Sequence, residues 1–251
     1  MTDTSDDRYS NEVPLQLRWD ATDPLPTRLV IPDGHPTRAG KSVRESELPF
    51  NFSIAMSSLC CDISARCESL AHIRMPQVVV AFTPSRNRSR FGLQARLTPM
   101  RFRHGALTRK HGSIDYQVQR FFVNGREMLY LLTFCLPRFL DQPYEEKLIT
   151  VFHELYHISP AFDGDLRRHS GRYAVHSHSK AGYDSHMSEL VKEYLADHPE
   201  PGIFSFLNRG FRELWDRNGG ITGSVIPRPK LLPVGRAIVH TAARNQRKRA
   251  K

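Results

Sequence analysis

Apolar and polar positions alternate with two different periods along this chain. Phe52, Ile54, Ala55, Leu59, Ile63 and Leu70 recur at helical spacing and predict a first helix over 50–70. Gln77-Val78-Val79-Val80-Ala81-Phe82 is a short β-branched run and predicts a buried strand. Phe91 to Phe102 alternates imperfectly and is expected to form a second strand, with arginines on its wet face; Tyr116 to Val123 reads as a third. Asn124-Gly125 stands between Phe121-Phe122-Val123 and Met128-Leu129-Tyr130, a hairpin signal that makes Arg126 to Phe134 the next strand. Leu148, Val151, Phe152, Leu155 and Ile158 then return to helical spacing. Asp141 is placed to cap that helix, with Pro143 in the first turn, Glu145 and Glu146 at the positive end of its dipole, and Pro160 as its stop. Asp184 to Ala196 and Phe204 to Trp215 predict two more helices, the second closed by Gly219-Gly220. Strands grouped ahead of a helix, with more helices after it, specify an α+β fold.

The helix at 142–158 carries the chemistry. His153-Glu154-Leu155-Tyr156-His157 is an H-E-x-x-H motif. Residues four apart lie one above the other on a helix, so both imidazoles can reach one tetrahedral zinc ion. The intervening Glu154 projects towards the open position of that metal, where it can take a proton from a bound water. A catalytic zinc site needs a third protein ligand. The chain offers His169, His176, His178 and His186, with Asp163, Asp165 and Asp184, and seven of the twelve histidines fall between His153 and His198. Position 160 is Pro and 163 is Asp, so the longer H-E-x-x-H-x-x-G-x-x-H pattern is absent. Asp163, Asp165 or Asp184 can orient a ligand histidine through its free ring N–H. Asp163-Gly164-Asp165 also reads as a plain turn with Arg167 or Arg168 as ion-pair partner, and Tyr173 and Tyr183 as packing residues or oxyanion donors.

Composition sharpens this only in places. At 251 residues the chain can bury a sizeable core. Met1 to Asp20 is polar and acidic and does not read as a secretory signal, and no apolar run is long enough for a membrane span. Cys60, Cys61, Cys67 and Cys135 form no C-x-x-C pair and read as reduced thiols of a cytoplasmic protein. The expected organisation is a loosely attached segment over 1–45, a domain over 46–222 and a basic, Pro-containing tail over 223–251. The net charge of +10 is concentrated. No acid occurs from Pro84 to Ile114, which holds Arg86, Arg88, Arg90, Arg96, Arg101, Arg103, Arg109 and Lys110. None occurs from Val225 to Lys251, which holds Arg228, Lys230, Arg236, Arg244, Arg247, Lys248, Arg249 and Lys251. Such blocks suit phosphate backbones, or a solvated basic face.

The motif helix behind a group of strands resembles the zincin metallopeptidases. The resemblance implies a mixed sheet ahead of the H-E-x-x-H helix, with an edge strand that pairs with an extended peptide; Met128 to Phe134 is then the sheet element expected nearest the site. The longer string from His153 through Phe162-Asp163-Gly164-Asp165-Leu166-Arg167-Arg168 to Gly171-Arg172-Tyr173-Ala174-Val175-His176-Ser177 is similar to an uncharacterised metallopeptidase family of bacteria and phages. That similarity runs from about Leu48 to Ala196 and includes Leu129–Leu140 and Tyr183-Asp184. It implies His153, His157 and His176 as zinc ligands, with His178 the main rival for the third place. On these grounds the expected function is a zinc-dependent peptidase with Glu154 as general base. Two other readings stand beside it. One is a nucleic-acid-associated protein using segments 84–114 and 225–251, which the SprT-like zincins acting on DNA-bound proteins would combine with the first. The other is a zincin-like module that binds zinc without catalysis.

Overall fold

A computed structural model describes residues 15–30, 48–85, 91–168 and 180–236, with side chains throughout except at 180–184 and 235–236. In chain order the elements are β1 (Leu17–Trp19), β2 (Thr27–Leu29), β3 (Phe50–Asn51), α1 (Phe52–Arg66), β4 (Val78–Pro84), β5 (Ala95–Pro99), β6 (Thr108–His111), β7 (Ile114–Val118), β8 (Phe121–Val123), β9 (Arg126–Glu127), β10 (Tyr130–Leu136), α2 (Tyr144–Tyr156), α3 (Lys180–Ala196), α4 (Pro201–Phe204), α5 (Phe211–Asn218), β11 (Ile221–Ser224) and β12 (Leu231–Arg236). The fold is mixed α+β.

The central sheet has the order β4-β10-β5, with β10 parallel to β4 and antiparallel to β5. All seven residues of β10 are buried, because this strand is covered on both faces. Alternate residues serve two cores. Val78, Val80, Phe82, Tyr130, Leu132 and Phe134 face the helices, packing with Phe52 and Met56 of α1, Leu148 and Phe152 of α2, and Tyr194 of α3. Val79, Ala81 and Leu131 face the opposite way and join Trp19, Met100, Phe121, Met128 and Ile226. The Asn51 side chain caps α1 by accepting from Ile54 N–H at 3.1 Å.

Several expectations change in detail. The hairpin at Asn124-Gly125 is present, with positive φ at both residues, but its second strand is only Arg126–Glu127. The chain then leaves for another sheet. Leu129 N–H bonds Gln77 O and Met100 N–H bonds Leu129 O, so the run 126–134 is divided between β9 and β10. The strand expected over 116–123 is likewise divided, β7 pairing with β6 and β12 while β8 pairs with β1 and β9. The helix expected over 204–215 is interrupted: α4, a tight turn at Ser205–Asn208, and α5 replace it. A buried lysine on α2 and a carboxylate just before it account for this break. Lys147 Nζ donates to Leu207 O at 2.9 Å and Arg209 O at 2.7 Å, and the Asp141 carboxylate accepts Phe211 N–H at 3.0 Å. Asp141 therefore caps α5 rather than α2, whose N-cap is Pro143 without a side-chain bond.

Residues 15–30 and 223–236 fall in segments expected to lie outside the folded domain, yet they contribute β1, β2, part of β11 and β12. Trp19 and Val30 are buried. The remainder of 1–45, and the tail beyond 236, lie outside the described residues. All four cysteines are free. Among the described residues no helix is long and apolar enough to cross a membrane.

Candidate metal centre

Helix α2 forms where the apolar period placed it. Leu148, Val151, Phe152 and Leu155, with Ile158 just beyond, are fully buried, each contributing about 1.5–3 kcal/mol relative to exposure. Burying that stripe leaves Glu154 facing β5, with His153 and His157 stacked one turn apart. The rings of His153 and His157 meet edge to face at 4.6 Å, and their Nε2 atoms stand 2.9 Å apart. Two nitrogens held by one tetrahedral zinc at about 2.0–2.1 Å would be separated by roughly 3.3 Å. The pair is thus within a few tenths of an ångström of a shared-ion geometry.

Glu154 is 8% exposed, and its Oε2 accepts the Leu97 N–H of β5 at 2.6 Å. Among the described residues strand β5 pairs with β10 along one side only, and this amide lies on its other side. Burial pushes the Glu154 carboxyl up to about 7, against the Leu97 hydrogen bond and the positive charge of Arg96. Near neutrality such a group exists in both protonation states, as a general base requires. The edge element beside the motif is therefore β5, not the strand within Met128–Phe134. That strand, β10, lies in the middle of the sheet, shielded by β5.

The chain leaving α2 is closely held. Arg167 N–H bonds His157 O at 2.7 Å, and its guanidinium lies 4.0 Å over the Tyr156 ring while Nε donates to Tyr156 O at 2.7 Å. A cation thus satisfies the Tyr156 carbonyl at the negative end of the helix, and a backbone amide that of His157. Ile158 and Leu166 form an antiparallel bridge. The buried Tyr130 hydroxyl donates to Asp165 O at 2.9 Å and accepts from Gly164 N–H at 3.0 Å, fixing the turn between them. Gly164 has φ +86°, and a Cβ there would lie 2.5 Å from Arg101 Cγ. Asp165 is in an ion pair with Arg168 at 2.7 Å and also accepts His104 N–H. Burial would raise its carboxyl, but Arg168 and two backbone N–H groups hold it below the usual range. Asp165 is therefore committed to the turn.

Of the proposed third ligands, His169, His176 and His178 lie outside the described residues, as does Tyr173 and the side chains of Tyr183 and Asp184. His186 of α3 packs its ring against Tyr156 at 5.2 Å. Among the described residues no group of three or more His, Cys, Asp or Glu side chains could hold a metal ion. The contributions of Leu97 and Tyr130 had no sequence signal, since a backbone amide and a strand tyrosine acquire their roles only through long-range contact; Arg167, expected as a partner of the 163–165 turn, serves the end of α2 instead. Comparison with protein-family models, curated proteins and solved structures finds no match to the chain.

Proposed function

We propose that this chain is a zinc-dependent peptidase, with His153 and His157 as two of the metal ligands, His176 as the third and Glu154 as the general base. The observation that carries this reading is the convergence, on one helix, of two imidazole nitrogens 2.9 Å apart with a buried carboxyl. A bound zinc ion would supply a Lewis acid and acidify a water molecule. The chain's own groups do the rest. Glu154 takes the proton of the attacking water through the oxygen not engaged by Leu97, and returns it to the leaving amine. The Leu97 N–H fixes the carboxylate beside strand β5. Arg167 and the Tyr130-held turn fix the end of α2 and hence His157.

The test is the Glu154→Gln variant assayed on unfolded protein substrates beside zinc content. The reading expects zinc retained and hydrolysis reduced at least 100-fold. Hydrolysis at the wild-type rate would remove Glu154 from the mechanism.

A further inference from the structure

The fold brings together the two acid-free stretches of sequence. Strand β6 comes from the first and β12 from the second, and they flank β7 in one antiparallel sheet of order β12-β7-β6. All four residues of β6 are exposed, and β7 has only Gln117 buried. The β6–β7 pair is thus a ribbon open to solvent, turning at Gly112 (φ +61°), where nothing lies within 4 Å of an added Cβ.

Its charge is strongly positive. Arg103, Arg109, Lys110, Arg228 and Lys230 are exposed, and none forms an ion pair among the described residues. Nearby Arg101, Arg120 and Arg168 are paired, with Glu127 and Asp165. Asp115 is the one acid in the three strands, in register with Lys110. Successive strand residues point to opposite faces, so Arg109 and His111 stand on one side of the ribbon and Lys110 on the other. A flat anionic membrane meets one face of such a ribbon. A nucleic-acid groove, whose walls are both phosphate, meets two, and the major groove is wide enough for a two-stranded ribbon.

We propose that the β6–β7 ribbon, with the cations leading into β12, is a binding surface for double-stranded nucleic acid, held through its phosphates without base-specific contacts. The assignment is independent of the zinc reading and is tested in EDTA. Binding of the full chain to a labelled mixed-sequence 20-base-pair DNA duplex is followed by fluorescence anisotropy from 50 to 200 mM salt. The comparison is Arg109→Ala with Lys110→Ala, against a charge-matched control, Lys192→Ala with Arg217→Ala, both exposed on helices elsewhere. Wild type is expected to bind with a log K against log salt slope of about −4. The ribbon variant is expected to bind roughly ten-fold or more weakly at 50 mM salt, with the slope reduced by about 2, and the control to stay within about two-fold of wild type. Equal losses in both variants would show that binding follows net charge and overturn the assignment. So would absence of duplex binding at 50 mM salt, or stronger binding to single strands or to vesicles of 30% phosphatidylserine than to the duplex.

Discussion

Replacing Glu154 by Gln tests the electrostatics of the site without reference to turnover. The carboxyl is 8% exposed and raised from 4.5 to about 7, with burial the largest cause. A carboxyl raised in the folded state favours folding fully below its unfolded value and loses that contribution as pH rises through its folded value. Ionised Glu154 should therefore cost the metal-free protein about 3 kcal/mol above pH 7, and nothing near pH 4. Gln keeps an oxygen for the Leu97 N–H and carries no charge. In protein stripped of divalent metal, Glu154→Gln should be more stable than wild type by about 2–3 kcal/mol at pH 8, which is a rise of roughly 5–10 °C in Tm. The advantage should shrink steadily from pH 7 to pH 4.5. His153 and His157 are the same in both proteins, so the difference between their stability curves reports position 154. Urea denaturation from pH 4.5 to 8 gives that difference directly. Parallel curves, or a variant less stable at pH 8, would refute a buried, destabilised carboxylate.

Other consequences concern the frame around the site. Tyr130→Phe removes a hydroxyl that serves both Asp165 O and Gly164 N–H in a buried turn, and should cost about 2–3 kcal/mol by urea midpoint, an unchanged midpoint denying the clamp. Gly164→Ala combines a positive φ with a collision against Arg101 and should lower stability by about 1–3 kcal/mol, whereas Gly112→Ala, which meets no neighbour, should show only the smaller backbone strain. Lys147→Met leaves the carbonyls of Leu207 and Arg209 without their donor; a loss of about 2 kcal/mol or more, with faster amide exchange in 205–211, is expected, and an unaltered exchange pattern would contradict its role.

These residues also mark how far the sequence could be read. Periodicity located α1, β4, the α2 stripe and α3, because each buries one face or both along an uninterrupted run. The Asp163-Gly164-Asp165 turn and its pairing with an arginine were legible from local chemistry, and Arg168 is the partner found. What escaped was decided by distant groups. Strands β1 and β2 are three residues each, too short for a period, and are held by β8 and β11. Asp141 looked like a cap for the nearest helix but serves α5, 70 residues away. The edge beside the motif is β5 because β10 is flanked on both sides, a fact of sheet order that no alternation pattern contains. The two histidines and Glu154 were legible because helical geometry alone brings them together. The partner of Glu154, an amide 57 residues earlier, was not.

The most direct test of the central claim is the zinc content of purified protein, wild type beside His153→Ala with His157→Ala and beside His176→Ala. The account predicts one zinc per chain, abolished in the double variant and lost or much reduced in the single one. A wild-type chain that binds no zinc, or a double variant that still holds one, would contradict it.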